Sequence, residues 1–154
     1  MSRVFTLKRR KIASDLSVSQ FTDLVLLNWL KSIHALALNV AQLFCQQIQV
    51  NETQFDCVWL AWVLMPDHFH GLVRLESDQS SLSSVIRSLK GSSDKQINRS
   101  LMKQGRLWQP SFYDRALRRD EDRKNIARYI VANPLRKGLV KSIRNYPYWN
   151  AIYL

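Results

Sequence analysis

Two strand-like runs separated by three residues constrain this chain more than any other feature. Residues 55–64 read Phe-Asp-Cys-Val-Trp-Leu-Ala-Trp-Val-Leu, and residues 68–75 read His-Phe-His-Gly-Leu-Val-Arg-Leu. Both are rich in the β-branched and aromatic side chains that suit a pleated, half-buried surface. Between them Met65-Pro66-Asp67 supplies a turn, because proline fixes φ and aspartate satisfies local backbone groups. The spacing predicts a β-hairpin.

The flanks predict the remaining elements. Residues 3–7 (Arg-Val-Phe-Thr-Leu) read as a short strand leading into the basic cluster Lys8-Arg9-Arg10-Lys11. Ser19 can cap a helix from about Gln20 to about Gln47, since Leu24, Leu27, Leu30, His34, Ala37, Leu38, Ala41 and Phe44 keep the helical rhythm. Asn51-Glu52-Thr53 reads as a polar break. After the hairpin, Ser80 to about Asn98 reads as a second helix carrying Leu82, Val85, Ile86 and Leu89 on one side, with Gly91 weakening its middle. Residues 99–110 read as a loop and residues 111–118 as a strand. Asp120-Glu121-Asp122 places acids at the start of a third helix, which Pro134 ends near Asn133.

The resulting order is β-α-β-β-α-β-α. This predicts an α+β fold of the ferredoxin-like, split βαβ type. Its sheet is antiparallel, with helices on one face and an extra helix towards the C-terminus. There is no internal repeat, no linker and no Gly-rich phosphate loop, so residues 1–154 read as a single domain.

Composition narrows the partners. At 46% hydrophobic and 10% aromatic, the 154 residues can bury a core, which excludes global disorder. Twenty-three Lys and Arg against twelve Asp and Glu give +11, a charge that suits a polyanion. Residues 103–144 alone hold twelve of these cations and four acids, beside Trp108, Phe112 and Tyr113. A solvated basic face explains such a run; so does single-stranded nucleic acid, which is bound by phosphate contacts interleaved with stacking platforms. Cys45 and Cys57 sit in no CxxC and read as buried thiols in a reducing compartment. Residues 32–51 carry no charge, yet His34, Asn39, Asn51 and four glutamines make them a poor membrane span. No signal peptide is evident, and a cytoplasmic protein with no membrane partner is expected.

Two constellations can carry chemistry. Side chains alternate across a strand, so His68 and His70 share a face while Phe69 points into the opposite layer. Two such imidazoles form part of a divalent-metal site, or simply a polar pair on a half-exposed sheet. Tyr129 and Asn133 lie one turn apart on the third helix, in a stripe with Ile126 and Ile130. Taken alone they read equally as core residues with satisfied hydrogen bonds. If this helix covers the histidine face, Asn133 can add a carbonyl oxygen as third metal ligand, with the Tyr129 phenol beside it. A free phenol ionises near pH ~10, so roughly one in a thousand is phenolate at neutral pH, and positive charge nearby makes ionisation cheaper. A metal can polarise a phosphodiester for attack by such a group. A metal hydrolase drawing on Cys57 and the two histidines is a remote alternative.

These residues carry a resemblance. Met65-Pro66-Asp67-His68-Phe69-His70-Gly71-Leu72 resembles the histidine–hydrophobe–histidine (HUH) motif of single-tyrosine transposases, most of all the bacterial REP-associated tyrosine transposases. Trp108-Gln109-Pro110-Ser111-Phe112-Tyr113-Asp114-Arg115, Tyr129-Ile130-Val131-Ala132-Asn133-Pro134 with Lys137-Gly138-Leu139-Val140, and Tyr146-Pro147-Tyr148-Trp149 resemble three further blocks of that family, in order. The resemblance implies a strand transferase that uses Mg²⁺ or Mn²⁺ and cuts single-stranded DNA near hairpins of palindromic repeats. His68, His70 and Asn133 match the metal site and Tyr129 the nucleophile. A 5′-phosphotyrosine and a free 3′-hydroxyl would form, and strands would be rejoined without ATP. Arg115, Arg118, Arg119, Arg123, Lys124 and Arg128 are candidates for phosphate contacts, and Trp108, Phe112 or Tyr113 for stacking on bases. Such enzymes act as monomers or homodimers. The alternatives are a module of the same fold that holds DNA or RNA hairpins without cutting them, and a general RNA-binding protein.

Overall fold

The computed structural model describes residues 22–28, 38–118 and 121–154. The elements are β1 (Thr22–Asn28), α1 (Leu38–Phe55), β2 (Cys57–Leu64), β3 (His68–Leu75), α2 (Leu82–Leu101), β4 (Tyr113–Ala116), α3 (Arg123–Val131), α4 (Asn133–Arg136), a 3₁₀ turn at Ile143–Asn145, and β5 (Trp149–Ala151). The strands form one five-stranded sheet in the order β4-β1-β3-β2-β5, antiparallel at every pairing. The first four strands follow the split βαβ order, as the sequence predicts, and β5 extends the β2 edge.

The predicted hairpin forms between β2 and β3, from Cys57↔Leu75 to Leu64↔Phe69. Its register shifts between Trp59 and Ala61, so one extra residue is accommodated there. The bulge turns two tryptophans three positions apart onto one face. Trp59 opposes Val73 and Trp62 opposes Gly71, both in phase with Phe69. Phe69 then meets Phe44 of α1 with ring centroids 5.1 Å apart, Trp59 at 5.3 Å and Trp62 at 6.4 Å. Asp23, Val25 and Leu27 of β1 are buried in the same phase. This face and the paired helices α1 and α2 enclose the larger part of the core.

Several elements differ from expectation. Residues 22–28 are a strand, whereas the sequence predicts a helix from Gln20 to Gln47. Leucines at 24, 27 and 30 satisfy a helical period, but Asp23, Val25 and Leu27 also alternate correctly for a strand buried on one face, and pairing with β3 and β4 decides between the two. Residues 3–7, the cluster Lys8–Lys11 and His34 lie outside the described residues. Asn51-Glu52-Thr53 does not break the chain: α1 continues to Phe55. Asn51 is buried, donates to Val85 O at 3.0 Å and accepts from Trp59 Nε1 at 3.1 Å, tying α1 to α2 and to the sheet. Gly91 does not interrupt α2, which Ser81 caps in a reciprocal pairing with Ser84. The predicted strand at 111–118 is confined to Tyr113–Ala116, and β5 is an addition. The third helix ends at Val131, and Pro134 sits in the first turn of α4 instead of terminating a single helix at Asn133.

The alternation along β3 puts α3 on the other face of the sheet. Phe69 contacts α1, whereas its neighbour His70 contacts Asn133 at the head of α4. Ala127, Ile130 and Val131 are the buried residues of α3, which packs on β2, β3 and β5. The extra helix therefore covers the histidine side alone.

Gly71 shows how tightly the first face is filled. A Cβ there would lie 2.6 Å from Trp59 Cζ3 and 2.9 Å from Phe69 Cε1. Gly71→Ala is expected to cost about 1–3 kcal/mol through overpacking, read as a lowered urea midpoint. An unchanged midpoint would contradict the packing described.

Candidate active site

The site is built by β3, by the turn before it and by the α3–α4 junction. His68 and His70 are both half-buried and lie on one face, with ring centroids 6.4 Å apart. In register they oppose Asn28 and Leu26 of β1, and His70 opposes Val63 of β2. Burial, with His68 as a second cause, lowers the His70 imidazole to a pKa of about 4. His70 is therefore neutral at physiological pH, the form whose nitrogen lone pair can meet a cation.

Each imidazole has one ring nitrogen engaged. His68 Nδ1 lies 2.6 Å from Asp67 Oδ1. His70 Nδ1 lies 3.3 Å from Asn133 Nδ2, which also donates to Ile130 O at 2.9 Å. Asn133 is thus brought to His70, with His68 on the same face, but it turns Nδ2 towards the ring and not the carbonyl oxygen that the sequence reading offers to a cation. Among the described residues no cluster of three His, Cys, Asp or Glu side chains could hold a metal, so an ion here would rest on two imidazoles and an amide. Two same-face imidazoles beside an amide form an incomplete donor set, and a divalent ion held there would need water or substrate oxygens to complete its shell.

Tyr129 stands one turn before Asn133. It is 53% exposed, so it does not belong to the core as a structural tyrosine would. The guanidinium of Arg136 lies 4.1 Å from the centre of its ring, a cation–π contact that holds the phenol at the surface. Arg136 follows Tyr129 by two helical turns, a spacing visible in the sequence but hidden when Pro134 is read as the helix end. Asp67 is the other functional candidate that sequence reasoning missed: it reads there only as a turn residue.

The nucleic-acid candidates divide. Trp108 is 1% exposed, donates through Nε1 to Ser93 Oγ at 2.8 Å and packs on Phe44 at 5.2 Å. It is a core residue and is not available to stack on a base. Phe112 is half-buried against the same core. Gln109 donates to Asn28 O at 2.9 Å, and Lys90 donates to the carbonyls of Gln109, Pro110 and Ser111, so the Trp108–Ser111 segment is a structural strap leading into β4. Tyr113 is 65% exposed and lies in the same row and on the same face as His70, with Leu26 between them. Arg115 shares that face and pairs with Glu121 at 2.6 Å. Arg118, Lys124 and Arg128 are exposed and Arg123 is half-buried on or beside α3, while Arg119 lies outside the described residues.

The cysteines take no part. Burial pushes both thiols up to about 12, so they stay protonated. Cys57 opposes Leu75 at the far end of the β2–β3 hairpin and is in phase with Phe69, on the face away from the histidines. This removes the hydrolase alternative. Among the described residues no helix is long and apolar enough to cross a membrane.

The model of the family described as "Transposase IS200 like" matches residues 17–133, well over half of the chain. The chain belongs to the IS200-like transposase family. It is 32% identical over 88 residues to a REP-associated tyrosine transposase of Escherichia coli (strain K12), covering 57% of this chain and 50% of that protein. To a putative REP-associated tyrosine transposase of Haemophilus influenzae it is 29% identical over 98 residues, covering 58% and 56%. The chain thus spans about half the length of the curated relatives it matches. Among solved structures, a REP-associated tyrosine transposase bound to a REP hairpin superposes with a TM-score of 0.70 at 26% identity, covering 84% of this chain and 75% of that one. A putative transposase from Deinococcus radiodurans shares the fold, with a TM-score of 0.55 at 21% identity and coverage of 81% and 95%.

The state of His70 gives a direct check. Its folded pKa lies below the unfolded value of 6.5, so the unfolded chain binds the extra proton and stability falls as pH drops from about 6.5 towards 4. An NMR titration of the His70 ring is expected to show a midpoint near 4. A midpoint at or above 6.5 would contradict the burial described.

Proposed function

We propose that this chain is a divalent-metal-dependent enzyme that nicks and rejoins single-stranded DNA at hairpins of palindromic repeats, with Tyr129 as nucleophile. The observation that carries this reading is the 3.3 Å contact between Asn133 and His70, which seats the tyrosine-bearing helix on the histidine face of the sheet. Family membership and the likeness to a transposase bound to a REP hairpin support the same substrate class.

His68, His70 and Asn133 would hold Mg²⁺ or Mn²⁺. When bound, the ion polarises the scissile phosphate and neutralises charge developing on its oxygens. Tyr129 Oη gives up its proton and attacks the phosphorus. The bond from phosphorus to the 3′ oxygen breaks, that oxygen takes a proton, and the 5′ end stays attached to the protein as a phosphotyrosine. A 3′-hydroxyl from another strand reverses the exchange, so one phosphodiester replaces another and no ATP is consumed. Exposure of Tyr129 leaves its hydroxyl accessible, and Arg136 restrains its ring. Exposed Tyr113, in the row of His70, offers a base-stacking platform beside the reacting phosphate. Arg115, Arg118, Lys124 and Arg128 supply positive charge for the backbone, drawn from the +11 of the chain.

Incubation with 5′- and 3′-labelled hairpin DNA and Mn²⁺ tests the proposal on a denaturing gel. The expected result is a covalent adduct that keeps the 3′ label, joined through the 5′ phosphate at the break, abolished in Tyr129→Phe while the gel-shift affinity changes less than about threefold. Binding without adduct under Mg²⁺ or Mn²⁺ would identify a hairpin-holding module instead. An adduct of wild-type yield in Tyr129→Phe would exclude Tyr129 as the nucleophile.

A further inference from the structure

We infer that Asp67 is a positioning residue that selects the tautomer of His68 and so presents Nε2 to a divalent cation; the inference rests on the metal site proposed above. The carboxylate oxygen Oδ1 lies 2.6 Å from His68 Nδ1. An ionised carboxylate only accepts hydrogen bonds, so Nδ1 must carry the ring proton. The lone pair is then left on Nε2, the only ring nitrogen of His68 not already engaged. A carboxylate behind a ligating imidazole also increases its basicity and fixes its orientation.

The carboxylate is 70% exposed, so the contact depends on the backbone that carries it. That backbone is pinned on both sides. Met65 N donates to His68 O at 2.7 Å and closes the turn. Leu64 N donates to Tyr148 O at 2.9 Å, and the buried Tyr146 donates its hydroxyl to Leu64 O at 2.6 Å. Tyr146 and Tyr148, which the sequence shows only as part of an aromatic block, thus clamp the turn from which Asp67 reaches the ring. The two histidines are oriented differently: His68 by a carboxylate of its own turn, His70 by an amide from the α3–α4 junction.

The test uses the full chain and Mn²⁺ alone, with the tautomer of His68 read by long-range ¹H–¹⁵N correlation at a pH where the ring is neutral. In the wild type, metal-free His68 is expected as the Nδ1–H tautomer. Asp67→Ala is expected to admit the Nε2–H form and to weaken Mn²⁺ binding about 10- to 100-fold. Asp67→Asn can turn either an accepting oxygen or a donating NH₂ towards Nδ1, so it is expected to give a mixture of tautomers and an affinity between those of the wild type and Asp67→Ala. An Nε2–H wild type would overturn the inference. So would an unchanged tautomer in Asp67→Ala, whether or not affinity falls. If the wild type binds no Mn²⁺, the metal site fails, and the tautomer of the wild type and of Asp67→Ala still decides the role of Asp67.

Discussion

The two-residue period of β3 is the constraint on which the site depends. Phe69 is driven into the layer under α1 by the burial of its ring among Phe44, Trp59 and Trp62. Because successive side chains point to opposite faces, this burial forces His68 and His70 to the other side. A slip of one residue would bury both imidazoles in an aromatic core and expose the phenylalanine, so hydrophobic packing holds the polar pair in place. The close approach of Trp59 over Gly71 and the bulge that brings Trp62 into phase belong to the same device.

A second layer completes the arrangement. Ala127, Ile130 and Val131 anchor α3 through its buried stripe, leaving Tyr129 on the outer flank. The chain passes from α3 into α4 at Ala132, with φ −78 and ψ −5, so Asn133 stays about one helical turn beyond Tyr129. Apolar contacts place the helix, and the Asn133 amide then links it to the histidine strand. The clamp by Tyr146 and Tyr148 works in the same way on the turn before His68. In each case a large buried group fixes the backbone, and a small polar group projects from it towards the site.

What could be read in the sequence follows from how local each signal is. The limits of the β2–β3 hairpin, the shared face of the histidines and the pairing of Tyr129 with Asn133 all rest on period and on one proline, and these are properties of neighbouring residues. The strand at 22–28 is not legible locally because its leucines suit two periods, and only pairing with β3 and β4 separates them. Asn51 reads as a break because polar side chains usually are; its partners, Trp59 and Val85, are distant in sequence. Trp108 reads as a stacking candidate because basic residues flank it, yet it fills the core through Phe44 and Ser93. The three-residue β5 carries too little pattern to announce itself, and its pairing with β2 is a tertiary outcome.

The central claim is that two imidazoles and the amide that follows Tyr129 share one cation. Anomalous diffraction at the manganese edge, from crystals of this protein soaked in Mn²⁺, tests it most directly. The account predicts a single peak bonded to ring nitrogens of His68 and His70, with Asn133 at its side. A peak elsewhere, or an empty map between the two rings at saturating Mn²⁺, would contradict it.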